Sequence, residues 1–301
     1  MRYTGELAAL GSALCWTASA LSIRAAGRHL GVLYITSFRT LLAIPLLALM
    51  LSILSGSPIP APVAPWSLFL IVLSGWCGLV GGDLCLFRAY ILIGPRQAMA
   101  VATIFPVITA LIGVTLLGEH YSPLQWTGVF IAVSGVALAI SEGEKTGNLR
   151  DGVMRERKTQ GILFALGGAI GQSFSLVLAK KGMVGIDTLV AAEVRAVAAA
   201  TAFLLIFSIC GLWPKAKLAF RHRRSMAMIV ISSVVGTCLG TALSLASVRL
   251  TKTGTAATLI SLVPLFLIPP AILFEKEKLS YRAVVGAVAT FAGISLLLSA
   301  S

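Results

Sequence analysis

Hydrophobic residues follow one another along this chain in ten long runs, separated by short polar segments. A helix needs about 20 predominantly apolar residues to cross the hydrocarbon core of a bilayer. Strands of a membrane barrel would instead alternate apolar and polar residues over about ten positions, whereas these runs are continuously apolar. The pattern predicts an all-α integral membrane protein with ten transmembrane helices, near residues 4–27, 31–54, 67–93, 98–117, 125–141, 160–184, 189–212, 226–248, 254–274 and 283–299.

Composition excludes a water-soluble domain of this size. The chain is 57% hydrophobic and only 12% charged, with a mean hydropathy of +0.95, so the bilayer is its solvent. The first apolar run is too long for a signal peptide, contains Trp16 and Arg24, and has a counterpart at 160–184. We therefore expect it to remain as a helix.

The same pattern occurs twice along the chain. An offset of 156 positions pairs Arg39 with Arg195, and an offset of 158 pairs Pro106 with Pro264. Glycine pairs spaced four apart also recur, at Gly78 and Gly82 and at Gly236 and Gly240, and such small residues let membrane helices approach closely. We predict a first repeat of five helices over 1–143, a basic cytoplasmic linker over 144–158 and a second repeat of five helices over 159–301.

Charge predicts the orientation of these helices. The net charge is +13, and most basic residues fall on one side of the predicted membrane, including those of the 144–158 linker. Cytoplasmic loops carry the excess of Lys and Arg, so both termini are predicted to lie outside the cell. Because each repeat has an odd number of helices, the second repeat is predicted to be inverted, a plan in which the substrate site lies near the midplane of the membrane.

The stretch from Ala98 to Gly135 carries a family resemblance. It contains Pro106, the sequence LLGE ending at Glu119, then SPLQW, then two glycines seven positions apart. The stretch resembles the end of an EamA repeat of the drug/metabolite transporter superfamily, and a diverged counterpart, which keeps Glu277, runs from Ala256 to Gly293. The resemblance implies a ten-helix exporter of small metabolites such as amino acids, in the inner (plasma) membrane.

Polar residues within the apolar runs are candidates for lining a central cavity. Three of them share one face of the first helix at i, i+4 and i+7 spacing, and two of their repeat equivalents are also polar. The candidate cavity residues are Ser12, Trp16, Ser19, Thr103, Gln172, Ser175, Thr241 and Ser261. A hydroxyl stripe on helix eight adds Thr237 and Ser244. The alternative is that these groups only bond neighbouring helices.

Charged residues and prolines within the helices are further candidates. Ionisable residues at membrane depth mark functional sites by default, and the coupling or gating candidates are Asp83, Arg39 and Arg195. Asp83 is a candidate proton carrier with Arg39 as its expected partner, unless the two form a permanent structural ion pair. Pro106 and Pro264 are expected to kink helices four and nine.

Residues for other functions are few. The five cysteines lie in apolar runs without metal-ligand spacing, and the three histidines lie at helix ends or in loops. Glu119 recurs as Glu277 on the opposite membrane face, which favours end-capping over catalysis. We predict no catalytic residue, no cofactor and no metal. The expected partners are a small-molecule substrate, the lipid bilayer and protons, and no nucleic acid is expected to bind. The protein is predicted to be a monomer or a homodimer. The alternatives are a carrier of cationic drugs or of nucleosides and nucleotide derivatives, and an intramembrane lipid-modifying enzyme.

Overall fold

A computed structural model describes residues 3–26, 30–55, 63–140, 152–213, 223–270 and 281–299 of the chain. Across these residues the regular structure is helical throughout, with no β-strand. The α-helices are α1 Thr4–Ala26, α2 Val32–Ser55, α3 Pro65–Gly75, α4 Asp83–Ala102, α5 Phe105–Leu117, α6 Pro123–Ile140, α7 Gly152–Gly182, α8 Thr188–Ile209, α9 Arg223–Ile231, α10 Thr241–Leu250, α11 Thr253–Ile260, α12 Val263–Phe266 and α13 Tyr281–Ser299.

Many of these helices are apolar enough to enter a bilayer. Among the described residues, seven helical segments have the length and hydropathy needed to cross a membrane. Three shorter apolar helices are Phe105–Leu117, Pro123–Ala139 and Val284–Leu298. The protein is therefore a multi-pass membrane protein, while ten crossings and an inverted second repeat stay predictions.

Helix boundaries differ from the prediction in two places. α4 continues to Ala102, through the segment 94–97 expected to be a loop. α7 begins at Gly152, inside the predicted linker, rather than near residue 160. The segment 94–97 includes Pro95, but a proline removes only one backbone donor, and α4 continues past it.

Two helices break at equivalent positions, just before a proline. α4 ends before Thr103, and α5 then begins with Pro106 in its first turn. α11 ends before Ser261, and α12 begins with Pro264 in its first turn. Proline fits the first turn, where its missing N–H would have no helical partner. The interruption is thus repeated in the two halves of the chain.

Two π-helical segments also occupy equivalent positions. The first spans Trp76–Gly82 between α3 and α4, and the second spans Ser232–Gly240 between α9 and α10. They contain the repeated glycine pairs. A Cβ atom added to Gly240 would lie 3.3 Å from Cys15 Cβ on α1, so glycine allows the second segment to approach α1 closely. Such insertions are frequent at functional sites.

The chain divides into two compact units, and they are not the two repeats. Unit 1 consists of Met1–Val80 and Ser175–Leu250, and unit 2 consists of Gly81–Phe174 and Thr251–Ser301. Each unit therefore combines helices from both halves of the sequence. Two of the boundaries along the chain fall within helical segments, the first π-helical segment and α7.

Unit 1 is built around α1, α2 and α8. Within it, α1 packs against α9, the second π-helical segment and α10, and α8 packs against α2 and α3. One apolar core cluster joins Ala26, Ile35, Phe38, Phe207 and Ile229. Polar residues of α1 and α2 are also buried in this unit, among them Ser12, Ser19 and Arg39.

Unit 2 is dominated by the packing of α6 against α13, and α5 packs against α11. Glycines allow the closest approach. A Cβ atom added to Gly286 would lie 2.5 Å from both the Ala139 N and the Gly135 O atoms. A Cβ atom on Gly128 would lie 2.7 Å from the Gly293 O atom. The glycines seven apart are therefore interface residues, because no larger side chain fits between these backbones.

Candidate functional site

Unit 1 contains a polar cluster around Trp16, here called the α1 cluster: Ser12, Trp16, Ser19, Arg39, Ser232 and Ser244. The Ser12 Oγ donates to the Gly240 carbonyl at 3.0 Å and lies 2.5 Å from the Ser244 Oγ. The Trp16 Nε1 donates to the Ser244 Oγ at 3.3 Å. Because a carbonyl only accepts, the direction of this chain of bonds is defined, from Trp16 through Ser244 and Ser12 to the backbone of Gly240.

Arg39 completes the α1 cluster. Its side chain is only 1% exposed, and its guanidinium carbon lies 5.6 Å from the centroid of the Trp16 ring. A cation at this distance from an aromatic face is attracted to it, more strongly when both are desolvated. The cluster therefore places a buried positive charge beside an indole and several hydroxyls. Ser19 contributes through its Oγ, 2.7 Å from the Ser232 Oγ.

Arg195, the repeat equivalent of Arg39, lies in a different contact within unit 1. Its Nη2 donates to the Ser175 Oγ at 2.9 Å, and that hydroxyl donates to the Ser74 carbonyl at 2.7 Å. A Cβ atom added to Gly75 would lie 2.9 Å from the Arg195 O atom, so α3 and α8 approach closely here. Arg195 therefore bonds to α7 at a helix contact, and a coupling or gating role for Arg39 and Arg195 stays a prediction.

Unit 2 contains Asp83, the acid predicted to carry protons. Asp83 is the first residue of α4, directly after the first π-helical segment, and its side chain is 6% exposed. The Gln172 Nε2 on α7 donates to the Asp83 Oδ1 at 2.9 Å. A Cβ atom added to Gly168 would lie 3.2 Å from the Gly82 O atom. Two candidates that were selected separately from the sequence therefore form one pair.

Each half of the chain contains one version of the same helix contact, and the two versions carry different side chains. The contact of Ser12 with Gly240 corresponds by repeat offset to the approach of Gly168 to Gly82. Trp16 corresponds to Gln172. The first version of this contact presents indole, hydroxyls and guanidinium, and the second presents an amide and a carboxylate.

The remaining predicted residues lie at or near the helix breaks and on α10. Thr103 is buried after the end of α4, and the Ser261 Oγ donates to the Thr258 carbonyl at 2.7 Å. Thr241 begins α10, and its buried Oγ1 has no hydrogen-bond partner within the part of the chain that the structure describes. Of the predicted cavity and coupling residues, unit 2 holds Thr103, Gln172, Ser261 and Asp83, and unit 1 holds the others. A single cavity lined by all of them stays a prediction.

A second cluster, here called the capping cluster, surrounds Glu119 in unit 2. The Glu119 carboxylate accepts from the Thr253 N atom at 3.0 and 2.9 Å, from the Thr253 Oγ1 at 2.8 Å and from the Tyr121 hydroxyl at 2.7 Å. Tyr121 in turn accepts from the Gly254 N atom at 2.8 Å. A carboxylate on the first N–H groups of α11 satisfies donors that a helix cannot satisfy itself and matches its dipole. The end-capping interpretation of Glu119 is confirmed, and Glu277 lies outside the described residues.

Neighbouring residues extend the capping cluster. Ser122 and Gln125 form a capping box at the start of α6: the Ser122 N atom donates to the Gln125 Oε1 at 3.0 Å, and the Gln125 N atom donates to the Ser122 Oγ at 3.2 Å. The Lys252 Nζ donates to the same Oε1 at 2.9 Å. Burial, and secondly the bond to Glu119, raises the pKa of Tyr121, so the phenol stays protonated as a donor. Lys252 and Thr253 were not predicted from the sequence, although the spacing of Ser122 and Gln125 is a capping signal that the sequence shows.

Comparison with known proteins identifies the family. The model of the EamA-like transporter family matches residues 3–141 and 159–299. A search of the curated proteins finds no match. A solved structure described only as the crystal structure of a protein has a TM-score of 0.75, covers 99% of both chains and shares 16% sequence identity, which shows a common fold. The two matched segments confirm the resemblance drawn from the LLGE and SPLQW motif, and the chain belongs to the EamA-like transporter family.

Proposed function

We propose that this transporter exports small metabolites, amino acids foremost, by alternating access around a substrate site near the midplane of the membrane, coupled to protons. Family membership supports the transport function in general. The observation that carries the finer proposal is the buried carboxyl of Asp83, held by the amide of Gln172. An acid inside a membrane-spanning helix is costly, and proton exchange gives it a use.

The candidate residues supply the chemistry that amino acids require. A zwitterion presents one ammonium group and one carboxylate, and the candidates include one acid, Asp83, and the buried cation Arg39. Trp16 adds an aromatic face. A multivalent cation would need more acidic ligands than the described helices place around Asp83, so the residues favour zwitterionic solutes.

Location in the inner membrane, with both termini outside and the second repeat inverted, belongs to the same proposal. It is supported by the distribution of Lys and Arg along the sequence. Alternating access between inverted repeats is the plan of many secondary transporters. The helix breaks before Pro106 and Pro264 supply two equivalent positions at which helices could bend during the cycle.

Uptake into proteoliposomes tests the proposal. Purified protein is reconstituted and offered labelled amino acids, nucleosides and a cationic dye, with and without an imposed pH gradient. We expect saturable, gradient-stimulated uptake of at least one amino acid. The proposal would be overturned if folded protein took up none of these compounds above the level of protein-free vesicles.

Asp83→Asn tests the coupling. The side-chain carbonyl of the introduced asparagine can still accept the bond from Gln172, so the helix contact is kept while the titratable acid is lost. We expect uptake driven by the pH gradient to fall to the level seen without a gradient, with substrate exchange retained. Asp187→Asn is the matched control, since the exposed Asp187 caps α8 through the Leu189 N atom and Asn caps equally well. Undiminished gradient-driven uptake by Asp83→Asn would exclude Asp83 as the proton site.

A further inference from the structure

Among the residues that the structure describes, three threonine hydroxyls of unit 1 are buried and have no hydrogen-bond partner. They belong to Thr36 on α2, Thr237 in the second π-helical segment and Thr241 at the start of α10. Their side chains are 0%, 1% and 4% exposed. A buried hydroxyl without a partner loses the hydrogen bonds that it makes in water and so lowers the stability of the fold, and three of them within one unit require an explanation.

Other buried threonines of the protein differ from these three, because their hydroxyls donate to the helix backbone. A helical threonine usually donates its hydroxyl to the carbonyl four residues before it. Thr17, Thr40 and Thr258 all do so, at 2.7 to 2.9 Å. The three exceptional hydroxyls therefore keep their hydrogen atoms available for another acceptor.

The exceptional threonines follow one helix contact. α2 packs against the second π-helical segment, and the Ser233 Oγ donates to the Arg39 carbonyl at 2.7 Å. Thr237 and Thr241 follow Ser233 at successive four-residue steps. On α2, Thr36 precedes Arg39 by three positions, a spacing that puts both residues on one face of the helix.

Charge indicates what kind of group these hydroxyls accept. α2, α9 and α10 contain arginines, and neither these helices nor the second π-helical segment contain Asp or Glu. The helices packed against them carry two acids, Glu6 on α1 and Glu193 on α8. The buried Arg39 lies on α2 itself. Hydroxyl donors at a helix contact that includes a buried arginine suit an anion, since a hydrogen bond to a charged acceptor is about twice as strong as a neutral one.

We propose that Thr237 and Thr241, assisted by Thr36, bind the carboxylate of the transported substrate. The inference rests on the proposed function and assigns one part of the substrate to named residues of unit 1. It predicts that the protein recognises an amino acid but not its amide, because the amide lacks the negative charge.

Thermal unfolding in detergent tests binding without transport. The purified protein is incubated with each common L-amino acid and, for every one that stabilises it, with the corresponding L-amino acid amide. We expect stabilisation by at least one acid and not by its amide. Equal stabilisation by acid and amide, or no stabilisation by any of the acids, would overturn the inference.

Thr237→Val and Thr241→Val test the residues. Valine keeps the shape and removes the unsatisfied hydroxyl, so the ligand-free variants are expected to unfold at the wild-type temperature or above. Each is expected to raise the KM for the transported amino acid about tenfold, the effect of one hydrogen bond to a charged group. Serine at either position should restore the wild-type KM, and alanine, which also lacks the hydroxyl, replaces valine if a valine variant fails to insert.

Thr40→Val is the matched control, because its hydroxyl on the same α2 is already bonded to the Thr36 carbonyl. It is expected to leave the KM unchanged. Unchanged KM values in both the Thr237 and Thr241 variants would refute the carboxylate site while leaving transport established. Uptake restricted to nucleosides or dyes would also refute the carboxylate site, although transport in general would stand. Absence of all uptake would refute the proposed function.

Discussion

At the scale of single residues, Glu119 shows what a family motif does physically. Its carboxylate accepts bonds from Thr253 and from Tyr121 and caps α11, although its own chain segment lies between α5 and α6. Gly118, which precedes it, takes a left-handed conformation with φ of 66° and ends α5. The LLGE and SPLQW motif therefore ends one helix, begins the next and caps a third.

Glu119→Gln is expected to lower the free energy of unfolding by about 1.5–3 kcal/mol, the range for hydrogen bonds to a charged group. The amide has one acceptor oxygen and places a donor opposite the Thr253 or Tyr121 donors. Thermal or denaturant unfolding of the purified protein in detergent measures the change.

Glu156→Gln provides the control for that measurement. Glu156 is exposed on α7 and accepts a hydrogen bond from the exposed Gln160 at 3.2 Å, so the loss of its charge is expected to change stability by less than about 0.5 kcal/mol. Equal stability of the two variants would show that the capping cluster contributes nothing measurable.

Asp83, Gln172 and Trp16 could be predicted as candidates from the sequence, because polar side chains are rare within apolar runs. The contact between Asp83 and Gln172, which are 89 positions apart, could not be predicted. Spacing along one helix shows which residues share a face, but not which other helix that face meets. Ser232 and Ser233 were missed for the same reason, since only their contacts with Ser19 and Arg39 distinguish them.

At the scale of elements, α6 and α13 form the closest helix pair of unit 2. Gly286→Val is expected to destabilise the protein by about 1–3 kcal/mol or more, because the added atoms would meet the Ala139 and Gly135 backbones. Unfolding in detergent and the yield of folded protein measure this effect.

Val288→Leu on the same helix is the control for Gly286→Val. Val288 is 65% exposed and is expected to face lipid, so a larger apolar side chain should be tolerated. If Gly286→Val were as stable as Val288→Leu, the α6–α13 contact would have to be looser than the backbone distances indicate.

Helix existence was more predictable than helix ends. Apolar length predicted the spans because each residue contributes independently to hydropathy, whereas an end depends on which backbone groups find partners nearby. The π-helical segments at Trp76–Gly82 and Ser232–Gly240 were not predicted, because their glycine pairs fit an ordinary close-packed α-helix equally well.

At the scale of the whole molecule, the orientation in the membrane is open to direct measurement. After replacement of the five native cysteines, single cysteines are placed at Thr146 in the linker and at Ser301. In intact cells we expect a membrane-impermeant maleimide to label the cysteine at 301 but not the cysteine at 146, because the basic linker should be cytoplasmic.

Permeabilised cells are the control for that labelling, and both cysteines should then react. Labelling of the cysteine at 146 alone in intact cells would reverse the predicted orientation. Labelling of both in intact cells would contradict an odd number of crossings between the linker and the carboxyl terminus.

The sequence by itself determined the solvent, the helical class, the internal repeat and the family, because hydropathy, offset identities and short motifs are properties of one dimension. The tertiary structure alone decided which helices meet. It paired Ser12 with Ser244 across 232 positions and capped α11 with Glu119. It also left the hydroxyls of Thr237 and Thr241 without a partner among the described residues. It also combined helices of both repeats in each compact unit. These outcomes depend on the packing of side chains from distant segments, which no local pattern encodes.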